Sequence, residues 1–277
     1  MAATTPGVDL RIREKARELG ADLVGLASAS SVIDLPSHRI STAAGGRVDG
    51  EDAGRPVGPG SVQRPDSRWK TIVVLALWHP ESRPELDYFS FDHNTPGNGI
   101  LLGIVRDLVT WLNEEEALDA RSLPYGVERG GVYLKDAGVQ AGLGCIGRNN
   151  LLVTPEFGPR VRLRGLIVDA EADWDAPIRF DPCASCREYC RAACPRGALD
   201  DVVELPDGMA PSRWPARDGH YKRSRCMTQM NADRAAGGGV DRIDGECMEK
   251  DRPGVDAEYP VIHCRRCELS CPVGLHG

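Results

Sequence analysis

Four cysteines crowd into one short stretch of this 277-residue chain, and proline follows the last of them: Cys183, Cys186, Cys190 and Cys194. A second run near the end of the sequence has the same character and also closes on Cys-Pro: Cys264, Cys267 and Cys271. The C-x-x-C spacing lets two thiolates hold one metal centre from a tight turn, and the closing Cys-Pro is typical of chains that ligate two iron–sulfur clusters. The two runs therefore predict two [4Fe-4S] clusters.

Disulfides and structural zinc are the alternative uses of such cysteines. Disulfides are typical of small secreted chains, whereas this chain is long and shows no signal-peptide pattern in its first residues. Zinc needs only two C-x-x-C pairs, which leaves the two Cys-Pro closures without a reason. Clusters are the favoured interpretation, and zinc is the alternative.

Two cubane clusters need eight thiolates, and the two runs supply seven of them. Of the ten cysteines in the chain, Cys145, Cys226 and Cys247 compete for the remaining position. We choose Cys226, because the residues around it indicate the start of a helix. Crossed ligation then assigns one cluster to Cys183, Cys186, Cys190 and Cys271, and the other cluster to Cys194, Cys226, Cys264 and Cys267.

The first run departs from the usual spacing, because three residues separate Cys186 from Cys190 where two are expected. Either a local bulge absorbs the extra residue, or Cys190 is displaced and Cys247 replaces it as a ligand.

Charge and hydropathy exclude some classes of partner. The net charge of −7 disfavours DNA binding, which depends on neutralising phosphates with basic side chains. No apolar run approaches the length that crosses a bilayer, so no membrane partner is expected. With neither a signal peptide nor a twin-arginine pattern, and with cysteines used as ligands and free thiols, we expect a cytoplasmic protein.

Apolar periodicity predicts an α/β domain over residues 1–176. The predicted helices cover Val8 to Leu19, 100–116 and 131–141, and the predicted strands cover 21–27, 70–77 and 161–169. Residues 37–66 contain many glycines and are predicted to form a flexible loop. Residues 177–277 are rich in Cys, Arg and Pro and poor in core residues, so we predict a second unit held by its clusters.

A glycine-rich stretch lies between these two parts and contains Gly142, Gly144 and Gly147. Glycine at these positions allows a bulky ligand to approach the backbone closely. The stretch also matches G-x-G-x-x-G, the fingerprint of dinucleotide sites. That fingerprint follows a strand, whereas this one follows a predicted helix, so a nicotinamide site is disfavoured.

From Ala141 the sequence A-G-L-G-C-I-G-R-N-N-L-L-V-T-P-E-F-G resembles a motif of the epoxyqueuosine reductases, and the following G-P-R-V-R-L resembles the same region of the reductive dehalogenases. The resemblance continues through both cysteine runs and through Arg225-Cys226. It implies a cobalamin-binding domain of α/β class (α+β, nitroreductase-like), followed by a small ferredoxin-like domain with two [4Fe-4S] clusters. It also implies Cys226 as the eighth ligand.

The resemblance further implies a two-electron reductive cleavage of a carbon–oxygen or carbon–halogen bond, with electrons from an external ferredoxin or flavodoxin. Glu128 takes the place of the family's catalytic aspartate, and Tyr125 or Tyr133 is the next candidate proton donor. The candidate cobalamin-binding residues are Gly142, Gly144, Gly147, Arg148, Asn149 and Thr228.

Three departures from the family pattern bear on the substrate. Cys145 stands where the family has tryptophan, the D-T-A-P segment around the catalytic acid is absent, and the sequence ends at Gly277 without a helical-repeat tail. Together with the acidic net charge, they predict a small-molecule substrate rather than transfer RNA, although basic residues between the two runs favour RNA. The alternative function is an iron–sulfur electron carrier that reduces or reactivates the cobalamin of a partner enzyme.

Overall fold

A four-stranded sheet forms the centre of the computed structural model, which describes residues 7–33, 67–89, 95–125, 131–200, 221–236, 261–262 and 264–275. The strands are β1 (Leu23–Ser28), β2 (Thr71–Trp78), β3 (Tyr88–Phe89), β4 (Ala120–Ser122), β5 (Cys145–Ile146), β6 (Leu152–Val153), β7 (Val161–Val168) and β8 (Val261–Ile262). The helices are α1 (Val8–Glu18), α2 (Ala29–Ile33), α3 (Pro96–Glu114), α4 (Leu134–Gln140), α5 (Tyr189–Ala192), α6 (Arg223–Ala236) and α7 (Arg266–Leu269).

The sheet has the order β1-β2-β7-β4, and each of its neighbouring pairs is antiparallel. Val73 of β2 lies opposite Leu26 of β1 on one side and Leu166 of β7 on the other. The alternation of helices and strands in the sequence predicted an α/β domain. The antiparallel pairing shows that the mixture is of the α+β kind, in which helices pack on a sheet without parallel crossovers.

Helices cover both faces of this sheet, which is why β2 is apolar along its whole length. Side chains of α1 and α3 pack with one face of the strands, and this core includes Ile12, Leu26, Leu75, Leu108 and Leu166. The opposite face packs on α2 and α4, and that core includes Val32, Ile72, Val74, Ala137 and Ile167. The strand predicted at 70–77 is therefore confirmed.

Local sequence signals explain where the first helices begin and end. Gly20 follows α1 with a φ of 106°, and its amide N–H donates to the carbonyl of Arg17 at 2.9 Å, as expected for a glycine at a helix end. Thr95 caps α3, because its hydroxyl accepts from the amide of Asn98 at 3.3 Å. The helix predicted at 131–141 is shorter in the structure, where α4 has seven residues.

The cysteine-rich part has little regular structure among its described residues. Residues 169–188 contain no helix or strand, and α5 and α7 each span a single turn of four residues. Helix α6 begins at Arg223, which confirms the helix start predicted around Cys226. Strand β8 pairs with β3, so the C-terminal part contacts the segment after β2. Within the described ranges, no helix is long and apolar enough to cross a bilayer.

Candidate metal centres

One pocket brings together four thiols from both cysteine runs. Its wall contains Cys183, Cys186, Cys190 and Cys271. Arg148 and Asn149 of the glycine-rich stretch line the same pocket. Three cysteines of the first run thus share a site with the last cysteine of the second run, as crossed ligation requires.

The Cys190 thiol shows how close these sulfurs are to one another. Burial is the main cause that raises its pKa to about 11, and a hydrogen bond from the Arg191 amide opposes this shift. The nearby thiols Cys183, Cys186 and Cys271 raise the pKa further. A thiol in this state keeps its proton near neutral pH, and metal binding would replace that proton.

A second group of thiols forms around Cys267. Burial raises the pKa of Cys267 most, followed by the nearby groups Cys226, Glu268, Cys264 and Cys194. The amide of Ala198 donates to the sulfur of Cys194 at 3.2 Å, and such hydrogen bonds tune the potential of a cluster. The two groups have the same members as the two ligand sets derived from crossed ligation. Their assignment to clusters stays a prediction.

The described cysteines form no disulfide bonds. The nine cysteines that lie in the described ranges are all free thiols. In the same ranges, no three Cys, His, Asp or Glu side chains are placed to hold a single metal ion. Cys145 lies on β5, half-buried, opposite Val153, whereas Cys247 lies outside the described residues.

Glu188 accommodates the extra residue between Cys186 and Cys190. It has a φ of 57°, in the left-handed region, and it precedes the first residue of α5. A residue other than glycine is uncommon there, and ion pairs with Arg148 and Arg191 hold its carboxylate. Cys190 still reaches the pocket, as the local-bulge alternative expects, and its choice as a ligand over Cys247 stays a prediction.

Arg160 connects the sheet to the second cysteine run. Its side chain is buried, with 3% of the residue exposed. The guanidinium donates to the carbonyls of Cys271 at 2.6 Å and Val273 at 2.7 Å. Gly158 lies beside this contact with a φ of 59°, and a Cβ there would overlap the Val273 carbonyl. The chain at 157–160 thus lies directly against the segment that carries Cys271.

A buried ion network makes a second connection, centred on Asp87, which is 1% exposed. The Asp87 carboxylate pairs with Arg162 of β7 and with Arg265, and it lies 3.0 Å from Nδ1 of His79. Burial opposes its ionisation most strongly. The hydrogen bond from His79 and the charges of His79, Arg162 and Arg265 together outweigh burial and lower the pKa of Asp87.

Packing within the chain accounts for the glycines of the predicted cobalamin site. A Cβ at Gly144 would overlap the carbonyl of Val153, one at Gly147 would lie 2.7 Å from Oδ1 of Asn149, and Gly142 has a φ of 68°. No ligand is needed to explain these residues, and their contact with cobalamin stays a prediction. A bulky substitution at Gly144 would disturb the fold itself, so it is a poor test of ligand binding.

The polar residues assigned to cobalamin also have partners within the chain. Arg148 pairs with Glu188, and the side chain of Asn149 accepts from Leu151 N at 3.2 Å and donates to the carbonyl of Cys267 at 3.5 Å. Thr228 lies on α6, exposed, and its hydroxyl donates to the carbonyl of Ser224 at 2.9 Å. The structure therefore brings Arg148 and Asn149 to the thiol pocket, and the role of all three stays a prediction.

Two of the three predicted proton donors, Tyr125 and Tyr133, lie in the described residues. Tyr125 is 76% exposed, and its ring centroid lies 4.4 Å from the guanidinium carbon of Arg164. Tyr133 occupies the N-cap position of α4, without a side-chain capping hydrogen bond. Glu128 lies outside the described residues, as does the loop predicted at 37–66.

Sequence reasoning missed the charged residues that hold the thiol groups in place: Asp87, Arg160, Glu188 and Arg265. Each is an ordinary charged residue in the sequence, and only burial and contact partners distinguish it. Arg160 belongs to the G-P-R-V-R-L motif, so its position in a recognisable stretch was the one available signal.

No family model matches the chain. A tetrachloroethene reductive dehalogenase from Desulfitobacterium hafniense is 39% identical over 95 residues, which cover 32% of this chain and 17% of that protein. The epoxyqueuosine reductase of Bacillus subtilis is 27% identical over 209 residues, covering 69% of this chain and 51% of the reductase. The chain is thus similar in sequence to members of both families. It spans about half, or less, of the length of these curated relatives.

Solved structures of both families share the fold. Epoxyqueuosine reductase from Streptococcus thermophilus superposes with a TM-score of 0.61 at 20% identity, covering 98% of this chain and 67% of that one. A catabolic reductive dehalogenase in complex with 3-bromo-4-hydroxybenzoic acid gives a TM-score of 0.51 at 21% identity, covering 99% of this chain and 36% of the dehalogenase. The mixed α and β architecture predicted from the sequence is thus confirmed. The nitroreductase-like and ferredoxin-like descriptions of its two parts stay predictions.

Proposed function

We propose that the protein is an iron–sulfur, cobalamin-dependent reductase that cleaves a carbon–oxygen or carbon–halogen bond with two electrons and a proton. The observation that carries this proposal is the pair of thiol groups, each of which draws members from both cysteine runs. The relationship to epoxyqueuosine reductases and reductive dehalogenases supports the reaction class.

The two groups of four thiols match the number of ligands that two cubane clusters need. Cys183, Cys186, Cys190 and Cys271 would hold one cluster at the pocket. Cys194, Cys226, Cys264 and Cys267 would hold the other cluster, and Cys226 is placed for this by the first turn of α6. Clusters held by cysteine thiolates supply one electron at a time at low potential.

Support for cobalamin comes from the family resemblance rather than from the site. The glycines, Arg148, Asn149 and Thr228 are all used by contacts within the chain, so no cradle for a corrin can be assigned among the described residues. Cobalamin, when bound, supplies the reactive cobalt for the bond cleavage.

The residues of the chain itself have three tasks in this proposal. Arg160 and the Asp87 network hold the second cysteine run against the sheet. Glu188 shapes the turn that brings Cys190 to the pocket. Tyr125 and Glu128 are the candidate donors of the proton that a reductive cleavage consumes, and Arg164 lies against the Tyr125 ring. A group near the reacting atoms with a suitable pKa can transfer that proton in the transition state.

A visible-absorption titration tests this function. Anaerobically reconstituted protein is mixed with cobalamin, freed of excess ligand, reduced chemically, and given brominated phenols or epoxyqueuosine-containing transfer RNA. Stoichiometric cobalamin retention, with release of bromide from the phenol or conversion of epoxyqueuosine to queuosine in the transfer RNA, supports the reductase. Intact clusters without retained cobalamin would contradict it and favour the electron carrier, which passes electrons to the cobalamin of a partner enzyme.

For the substrate, we propose a small molecule rather than transfer RNA, with a ferredoxin or flavodoxin as the electron donor. The net charge of −7 gives no strong attraction for phosphates over the whole chain, and Cys145 replaces the family's tryptophan. Mass analysis of nucleosides after incubation with epoxyqueuosine-containing transfer RNA tests this choice. Conversion to queuosine would overturn it and leave the reductase function standing.

A further inference from the structure

Arg164 of β7 is a buried cation without a carboxylate partner. Only 7% of the residue is exposed, and its Nε and Nη1 atoms are buried without a hydrogen-bond partner. In the part of the chain that the structure describes, no ion pair or hydrogen bond involves its side chain. Buried charges in proteins are normally paired, because the loss of hydration is otherwise uncompensated. Within the described residues, no carboxylate therefore neutralises the positive charge of Arg164.

The contacts of Arg164 do not replace that missing charge. Its guanidinium lies 4.4 Å from the ring centroid of Tyr125, and a neutral ring offers a weaker attraction than an anion. Burial lowers the pKa of Arg164 most, Tyr125 opposes this, and the neighbouring charge of Arg162 lowers it again. An arginine stays protonated in proteins despite such shifts, so the positive charge remains.

Neighbouring charges are already matched to each other. Arg162 and Arg265 both pair with Asp87, and Arg265 also pairs with Glu268. These two guanidinium groups face two carboxylates, which leaves the charge of Arg164 in excess within the described residues. Arg162 also keeps a buried Nε atom without a hydrogen-bond partner. It lies two residues from Arg164 on the same face of β7, roughly 7 Å away along the strand.

We propose that Arg164, with Arg162 beside it, forms a binding site for an oxyanion group, either the carboxylate or the phosphate of a small molecule. A guanidinium presents its N–H donors in a planar fork that matches such groups. Tyr125 lies at the exposed side of the site, where it would contact the rest of the ligand. The site uses residues of the sheet together with Tyr125, the candidate proton donor. Its test measures binding alone, so it can stand if the proposed reductase function fails.

Anion titrations of the reconstituted protein test the site. Sodium phosphate and sodium acetate are compared with sodium chloride at equal ionic strength, by calorimetry and by the shift in Tm. We expect saturable binding of phosphate or acetate, and the stronger of the two responses identifies the ligand class. Arg164→Gln should weaken that binding by about tenfold or more, since a charge-assisted pair is lost.

Two further variants control the experiment. Arg121→Gln removes a guanidinium from the adjacent strand β4 that also lies over an aromatic ring, at 5.1 Å from Trp69, but has a 59% exposed side chain. It should bind the anion as the wild type does. Arg164→Lys keeps the positive charge but not the planar fork of donors, so it should bind the oxyanion measurably more weakly than the wild type. If Arg164→Gln loses iron or folded structure, Arg164→Lys provides the test instead.

Three results would overturn the proposal. The first is that chloride gives the same response as phosphate and acetate. The second is that the wild type binds neither oxyanion saturably. The third is that a folded Arg164 variant binds the oxyanion with unchanged affinity.

Discussion

At the scale of single residues, Asp87 is the centre of a buried network of charged side chains. Three groups lie against it, namely His79, Arg162 and Arg265. Asp87→Asn would leave the guanidinium groups of Arg162 and Arg265 without this partner. We expect the free energy of unfolding to fall by about 3–5 kcal/mol, the usual cost of breaking a buried ion pair.

Denaturant unfolding at pH 7.5 measures this loss, with Asp107→Asn as the control. Asp107 forms an exposed pair with Arg106, and exposed pairs contribute little, so the control should match the wild type. The pKa of Asp87 is lowered in the folded state. Its contribution is therefore complete above the unfolded value of about 4, and it is lost as the pH falls through the folded value. Equal stability of Asp87→Asn and the wild type at pH 7.5 would contradict the role of the network.

Arg160 is the second residue whose removal should be costly. Arg160→Gln loses charge-assisted hydrogen bonds to the carbonyls of Cys271 and Val273. The expected loss is about 3 kcal/mol, or a Tm roughly 6–12 °C lower. Differential scanning calorimetry measures it, and an iron assay after mild chelation should show faster iron release than in Arg121→Gln. A Tm within 1–2 °C of the wild type, on the same scale, would show that Arg160 does not anchor this segment.

The sequence predicted the cysteines at this scale but not the residues that arrange them. Thiol spacing is a direct signal, because ligand chemistry restricts the residue type. Asp87 and Arg160 have no such signal, since a charged residue is exposed in most proteins. The left-handed conformation of Glu188 was equally hidden, although the extra residue between Cys186 and Cys190 indicated that some local adjustment had to exist.

At the scale of elements, residues 157–160 lie in close backbone contact with the segment after Cys271. Gly158→Ala places a Cβ against the carbonyl of Val273 at a φ of 59°. We expect this change to loosen the segment and to speed amide hydrogen exchange over residues 264–275. Within the described residues, a matched control exists in α3, where a Cβ at Gly103 meets nothing within 4 Å.

Gly103→Ala should leave exchange over residues 264–275 unchanged. It should raise the free energy of unfolding by up to about 1 kcal/mol, because alanine is favoured over glycine in a helix interior. Hydrogen exchange read by mass spectrometry separates the two glycine variants. Similar exchange of residues 264–275 in Gly158→Ala and Gly103→Ala would contradict the close contact.

Periodicity predicted the long elements and left the topology open. β2 and α3 have apolar patterns that fix their type, and both lie close to their predicted positions. The direction of the strands could not be derived, because β4 has only three residues and carries no pattern of its own. Its place beside β7 depends on long-range pairing with Leu166 and Val168.

At the scale of the whole molecule, the crossed thiol groups join parts of the chain that lie far apart in sequence. Cys271 meets Cys183 and Cys186 at the pocket, and Cys267 meets Cys194 and Cys226. Few apolar residues are buried in the described part of this region, so the clusters would supply much of its folding free energy, as metal sites do in small metallo-domains. The resemblance carried by the glycine-rich stretch and the two runs predicted this organisation, whereas the connections through Arg160 and Asp87 required coordinates.

Iron and sulfide analysis of anaerobically reconstituted Cys226→Ala tests the central claim most directly, with Cys145→Ala and Cys247→Ala measured in parallel. Two cubanes give about eight irons and eight sulfides per wild-type chain. We expect Cys226→Ala to lose one cluster and hold about four of each, and the other two variants to keep about eight. A full complement in Cys226→Ala together with the loss of a cluster in Cys247→Ala would contradict the assignment of the eighth ligand and the grouping built on it.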